Sequence, residues 1–340
     1  METAIIDLLV AKALKSKREF DSEAQARRLH SLLPISFEGV TPAVLESRLA
    51  RVKSYRAIKA SLDQLPVVEQ RTDEWYKMRD EMLTASDWGQ ALGVGKFGTL
   101  AQLYHKKCNY GDAKPFDASA EPLQWGVKYE PVANEVYQLM TNTKVSEYGI
   151  IRHPRYSYLG ASPDGISALG IMLEIKCVWR RKIDGKIPEQ YMCQVQGQLE
   201  ICELEECDYF ECEFKECDTL EELREVTSSY KGIILRRRDG DGYAYGKVND
   251  LRTYAQYDEK EFTVAYYYYL SDHMMRRVHR DRKWFEDALP KLRDVWRNIE
   301  RYRADRSLYD KEVKKPTAKK PPAFIMRDVT NDGVNDSPAR

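Results

Sequence analysis

Asp164 in Ser162-Pro163-Asp164-Gly165 and, ten positions on, Glu174 and Lys176 in Leu173-Glu174-Ile175-Lys176 are the residues of this chain best suited to chemistry. Ile171 to Cys177 alternates apolar with other residues and predicts a strand. Along it Leu173, Ile175 and Cys177 share one face and Met172, Glu174 and Lys176 the other, so a carboxylate and an ammonium point the same way. Gly165 and the loop Ser167-Ala168-Leu169-Gly170 predict a tight reversal, and a hairpin or a crossing pair of strands would bring Asp164 beside them. The trio then forms a hard oxygen site suited to Mg²⁺ or Mn²⁺, with Lys176 placed to orient or deprotonate water for attack on a phosphodiester. A lone Glu-x-Lys is more often a surface pair on an amphipathic strand, and Ser-Pro-Asp-Gly at this spacing argues against that here.

The elements that must position these groups follow from periodicity. Residues 1–68 predict an accessory helical region: Ala4 to Leu14 and Ala24 to Leu33 have helical spacing, and Thr41 caps a helix from Pro42 to about Leu62. A helix starts near Thr72 with Trp75, Met78 and Met82 as its apolar stripe, and Thr84-Ala85-Ser86-Asp87 opens another. Trp125 to Thr141 is helical, with a kink or a fresh first turn at Pro131 that puts Glu130 at a helix boundary able to face the acids. Pro188 opens a helix to about Cys202. Tyr209 to Phe214, Ile233 to Arg237 and Glu261 to Leu270 predict strands, and a long helix is expected from Asp272 to about Arg303, bent at Pro290. Helices, a mixed set of strands and a crossing helix describe an α/β fold with one core domain over 69–305. Residues 306–340, rich in Lys, Pro, Asp and Asn toward their end, are expected to be a disordered tail.

Composition narrows the classes. The 340 residues are 43% hydrophobic and 32% charged, with no run near the length of a membrane span and no signal-peptide layout at the N-terminus. An intracellular, soluble protein is expected, and seven cysteines favour reduced thiols. The 54 basic and 54 acidic residues cancel, which excludes a broad polycation, so any nucleic-acid contact is local. Cys202 to Glu225 carries eleven acidic residues against two basic ones and reads as a solvated face, while Arg276 to Arg306 is rich in arginine.

Arg79 followed by Ser86 in Thr84-Ala85-Ser86, Gly126-x-x-x-Glu130-Pro131-x-Ala133, Ser-Pro-Asp-Gly, Glu-Ile-Lys and Tyr191-Met192-x-Gln194-Val195-Gln196 occur here in one order. In that order the chain resembles the lambda exonuclease group, the YqaJ-like viral recombinase family of PD-(D/E)XK nucleases, over roughly Arg71 to Phe214. The resemblance implies a restriction-endonuclease-like core with a mixed central sheet flanked by helices. It also implies a metal-dependent exonuclease that degrades duplex DNA from 5′ to 3′ and leaves 3′ single strands for recombination or viral genome processing. Asp164, Glu174 and the backbone carbonyl of Ile175 would hold Mg²⁺, with Mn²⁺ as a substitute, and Glu130 would complete the acidic set. Lys176 would be the general base or water positioner. Arg79, Ser86 and Gln194 would grip a 5′ phosphate, with Gln196 as a neighbour, although Gln194 and Gln196 lie about 200° apart on a helix. Double-stranded DNA ends, a single-strand annealing protein and a ring-shaped homotrimer are the implied partners, and the extra N-terminal helices and the C-terminal extension could block or replace that ring. The alternatives are a nicking or structure-specific endonuclease with the same site, and a catalytically silent DNA-end-binding scaffold.

Other groups have plainer readings. Arg79 alone would be a helix-surface arginine and Glu130 a capping acid. Cys202, Cys207, Cys212 and Cys217 recur every fifth residue, which turns successive thiols to different faces and disfavours a zinc or iron–sulfur site. Tyr266 to Tyr269 could stack bases, but alternating tyrosines more simply cover a core on one side and meet water on the other. Lys314, Lys315, Lys319 and Lys320 suit a solubilising tail, DNA phosphates or an import signal.

Overall fold

Thr41 and Thr72 do what their positions predict: each side-chain oxygen accepts a hydrogen bond three residues on, from the N–H of Val44 and of Trp75, and starts a helix. The computed structural model describes residues 6–11, 22–31, 40–94, 98–108, 120–240, 242–252 and 257–313. Its helices are α1 (6–11), α2 (Ser22–His30), α3 (Pro42–Leu62), α4 (Asp73–Asp80), α5 (Trp88–Leu92), α6 (Leu100–Cys108), α7 (Glu121–Thr141), α8 (Glu189–Ile201), α9 (Leu220–Glu225), α10 (Arg282–Ala304) and α11 (Arg306–Glu312). The strands are β1 (Leu83–Thr84), β2 (Val145–Ser146), β3 (Ile151–Arg152), β4 (Leu159–Ala161), β5 (Gly165–Ser167), β6 (Met172–Val178), β7 (Glu206–Cys217), β8 (Lys231–Arg237), β9 (Tyr243–Tyr245) and β10 (Phe262–His279).

Seven strands form a mixed sheet in the order β2-β5-β6-β7-β10-β8-β9, in which β6 and β7 are parallel and their neighbours antiparallel. The α8 crossover makes that parallel step possible. One face packs on α7 through Tyr129, Val132, Val136 and Tyr137, which meet Leu173, Ile175, Phe210 and Phe214. The other packs on α5, α8 and α10, where Trp88, Val195, Leu199, Leu292 and Ile299 join Met172, Cys207 and Tyr209. The α/β core of the sequence reading, with a mixed sheet between helical layers, is the observed architecture. A small second sheet, β1-β4-β3, sets β1 parallel to β4 with Thr84 beside Gly160.

Several boundaries differ from expectation. Helix α7 runs through Pro131 and α10 through Pro290. The expected helix start at Asp272 is strand instead, since β10 continues to His279 by pairing Asp272 to His279 with Glu213 to Glu206. A long partner strand overrides the helical propensity of Met274 to Arg277. Residues 306–312, assigned to the tail, form α11, and buried Tyr309 stacks on His105. The tail lysines from Lys314 onward lie outside the described residues.

The acidic run is a solvated face only in part: Glu203, Glu216, Asp218, Glu221, Glu222 and Glu225 are exposed, whereas Glu206, Asp208 and Glu211 of β7 are buried. Arg48 bonds both Asp7 and Glu206, Arg277 bonds Asp7, Glu206 and Asp208, and Arg181 bonds Glu211. Tyr55 and Tyr137 donate to Glu206 and Asp208 at 2.9 and 2.7 Å. These bonds, with Leu45, Leu49 and Val52 packed on Leu169 and Ile171, dock the N-terminal helices onto the sheet. The turn at Gly170 needs glycine twice over: its φ is +75°, and a Cβ would meet the Tyr55 backbone at 2.5 Å.

Along β7 the cysteines separate as their spacing predicts, Cys207 entering the α8 side of the core, Cys212 the α7 side and Cys217 a third cluster under α9, whereas Cys202, at the end of α8, joins the same cluster as Cys207. All are free thiols. Tyr268 is buried against α7, whereas Tyr267 and Tyr269 pack around Leu223, so both faces of the tyrosine run serve cores. No helix among the described residues is long and apolar enough to cross a membrane.

Candidate active site

The hairpin read from the sequence is present, and its first strand is short. β5 pairs with β6 only through Ile166 with Met172 and Gly165 with Leu173. Past Leu173 the edge of β6 meets Asp164, whose Oδ2 accepts the Ile175 N–H at 2.6 Å. Glu174 and Lys176 turn toward α8. The Glu174 carboxylate is fully buried; Oε1 accepts from Lys176 Nζ and from Gln194 Nε2 at 2.7 Å, and Oε2 from Gln198 Nε2 at 2.7 Å. Lys176 Nζ also donates to Gln194 Oε1 at 3.4 Å and lies 4.8 Å from the centre of the Tyr191 ring. Glu130 approaches from α7, half-exposed and paired to Arg71 Nη2 at 2.8 Å.

Helix α8 reaches this edge because residue 197 is glycine. A Cβ there would sit 2.8 Å from the Trp88 ring and 3.0 Å from Ala85 Cβ. The close approach brings Gln194 and Gln198, one turn apart, toward the segment that holds Ser86. Arg79, in the last turn of α4, stacks 4.4 Å over Trp75 and donates to Ser86 Oγ at 3.0 Å. Asp87 fixes that corner, accepting from Thr84 Oγ1 at 2.7 Å and from Lys107 at 2.9 Å. The parallel β1–β4 pair then sets Arg79 and Ser86 facing the Ser162-to-Asp164 loop. Arg71, Arg79, Ser86, Asp164, Gln194 and Gln198 line one cleft of about 180 Å³.

Charge in the cleft is arranged unevenly. Burial pushes the Asp164 carboxyl well above the ordinary carboxylate range, and the nearby Glu174 and Glu130 charges push it further. Burial likewise raises Glu130, against the pull of Arg71 and Lys176. For Lys176 burial works toward loss of the proton, but Glu174 and Asp164 outweigh it and hold the ammonium above its usual range.

The residues present fit a hard divalent cation in their chemistry. Carboxylates from three elements converge on one sheet edge, and the most deeply perturbed of them, Asp164, has no ion-pair partner among the described residues. As placed, the side chains do not enclose an ion: no group of three or more His, Cys, Asp and Glu is drawn together tightly enough among the described residues.

Of the residues singled out from sequence, Arg79, Ser86, Asp164 and Gln194 line the cleft, Glu174 and Lys176 contact Gln194 at its floor, and Glu130 is tied to Arg71 at its rim. Ile175 contributes its N–H to Asp164. Gln196 lies elsewhere: it is buried, its Nε2 donates to the His279 carbonyl and its Oε1 accepts from the Asp281 N–H, both at 2.8 Å. It ties β10 to α10, and the 200° helical offset from Gln194 is the reason. Two residues were missed. Gln198 was legible as the i+4 partner of Gln194; Arg71 carried no local signal. Tyr191 opens its sequence motif but was given no role.

Residues 74–205 match the model of the YqaJ-like viral recombinase domain. The chain is 26% identical over 312 residues to an uncharacterized protein of Acanthamoeba polyphaga mimivirus, covering 74% of this chain and 56% of that one. It is 26% identical over 164 residues to a protein of African swine fever virus, covering 39% and 46%. The chain thus spans about half the length of the curated relatives it matches. An alkaline exonuclease from Laribacter hongkongensis aligns in structure with a TM-score of 0.46 at 20% identity, covering 72% of this chain and 99% of that one. A phage related exonuclease from Haemophilus somnus aligns with a TM-score of 0.40 at 11% identity, covering 68% and 96%. The segment that carries Arg79, Ser86, Glu130, Asp164, Glu174, Lys176 and Gln194 lies within the stretch that matches the YqaJ-like viral recombinase domain.

Proposed function

We propose that this chain is a DNA exonuclease that works with Mg²⁺, or Mn²⁺ in its place, and shortens duplex DNA from 5′ to 3′ from a phosphorylated end. The 3′ strands it leaves would serve recombination or viral genome processing, with an annealing protein as downstream partner and a ring of three copies as the processive form. One observation carries the reading: a single cleft is lined by Arg79, its partner Ser86 and the carboxylate of Asp164, and one of its lining residues, Gln194, bonds both Glu174 and Lys176. The family match supports it.

Asp164, Glu174 and the Ile175 carbonyl would hold the cation, with Glu130 beside them. When bound, such a cation supplies Lewis acidity to a phosphodiester and to its attacking water. Gln194 and Gln198 fix the Glu174 carboxylate by donating to both of its oxygens. Lys176, held protonated by two acids, acts as a donor that orients water and offsets developing negative charge. The planar guanidinium of Arg79, held flat on Trp75, suits two oxygens of a terminal phosphate, with Ser86 Oγ adding a third contact.

The test is release of nucleotides from a 5′-labelled linear duplex with Mg²⁺. The parent protein is expected to shorten it and to leave a covalently closed circle intact, and Asp164→Ala and Lys176→Ala to be inactive. Cutting of the circle would replace the reading with an endonuclease; equal activity in the variants would remove the site.

A further inference from the structure

Arg71 stands where the backbone favours glycine. Its φ is +69°, in the left-handed region that a side chain makes unfavourable. The turn is imposed on both sides: Gln70 is pinned by its Nε2 to the carbonyls of Tyr148 and Pro163, and Thr72 immediately caps α4. The stability gained from the guanidinium does not explain its presence. Its ion pair with Glu130 joins two partly exposed side chains, 43% and 34% accessible, a class of pair that contributes little to folding. Arg71 does line the same cleft as Arg79, Ser86 and Asp164.

We infer that Arg71 is a second phosphate-gripping residue, parked on Glu130 in the free protein and transferred to a backbone phosphate of the DNA strand when it enters beside Asp164. The inference rests on the nuclease reading above and adds a substrate contact to it. Strained backbone kept at a cleft, a charged fork held by a weak counter-ion and a shared lining are what such a movable clamp requires. Glu130 then has two partners in turn, Arg71 before substrate and the active-site cation after.

The decisive variant is Arg71→Gly, which relaxes the turn while deleting the guanidinium. Binding of a 5′-phosphorylated duplex would be followed by fluorescence anisotropy in EDTA, where nothing is hydrolysed, across a range of salt. The expected result is affinity lower on the order of five- to tenfold and a salt slope smaller by about 1, with a melting temperature at or above the parent's. Arg71→Lys should recover part of the affinity. Glu130→Gln should tighten binding in the parent, by releasing the clamp, and do so far less in the Arg71→Gly background. Parental affinity and salt slope in Arg71→Gly would overturn the inference, as would a melting temperature that falls in step with affinity. A parent protein that neither binds nor shortens duplex DNA would instead defeat the nuclease reading itself.

Discussion

Two acid clusters in this protein have the same formal inventory, three carboxylates and two cationic side chains, and are wired differently. Where the N-terminal helices dock, Arg48 and Arg277 each reach more than one acid, so Asp7, Glu206 and Asp208 are all ion-paired. At the cleft Lys176 takes Glu174, Arg71 takes Glu130, and Asp164 receives only a backbone N–H. The first arrangement holds Glu206 down to about 2, because Arg48 and Arg277 outweigh the upward push of burial. The second leaves Asp164 and Glu130 raised. Connectivity, more than charge count, distinguishes a cluster that holds a fold together from one that leaves an acid without a cationic partner, as the proposed cation site requires.

The sharpest way to break this contrast is to neutralise one acid in each cluster. Asp164→Asn keeps an acceptor for the Ile175 N–H, so nucleotide release should fall by about three orders of magnitude or more while stability stays level or rises by about 1 kcal/mol. Glu206→Gln should do the reverse, lowering unfolding free energy in urea by about 3–5 kcal/mol because Arg48 and Arg277 lose a buried partner. Equal stability losses in the two variants would erase the distinction.

Acid sharpens it further. Glu206 has a folded pKa below its unfolded value, so its contribution is fully present above about pH 4.5 and is lost as pH falls through about 2. The shift corresponds to on the order of 3 kcal/mol, and Glu206→Gln should flatten that part of a stability profile measured by denaturation between pH 5 and pH 2. Arg79→Ala is expected to have the smallest effect, about tenfold to a hundredfold, confined to the preference for phosphorylated over hydroxyl 5′ ends. A parent enzyme that cuts both ends equally well would show that Arg79 and Ser86 serve some other anion.

The sequence made the cleft cluster legible because it is local: a turn, a strand of alternating faces and a carboxylate ten positions upstream place Asp164, Glu174 and Lys176 with little help from the rest of the chain. The docking cluster joins positions 7, 48, 206, 208 and 277, and no spacing rule connects them. That is why the acidic run looked like a solvated face throughout. The same limit hid Arg71, whose partner is 59 residues away, and misjudged β10, whose second half is strand only because β7 lies alongside. Gln196 failed for a different reason. The motif placed it next to Gln194, whereas helix geometry sent it to the opposite side, and Gln198 was the residue on the right face.

The brevity of β5 carries a consequence for variants of this region. A carboxylate side chain fills the seat that the next residue of a neighbouring strand would occupy. Truncating Asp164 to alanine therefore strands a buried amide as well as removing the carboxylate, which makes asparagine the cleaner probe. Lengthening β5 by one ladder step would satisfy the same amide through the main chain and displace the carboxylate, so a more complete hairpin and a working cleft compete for a single donor.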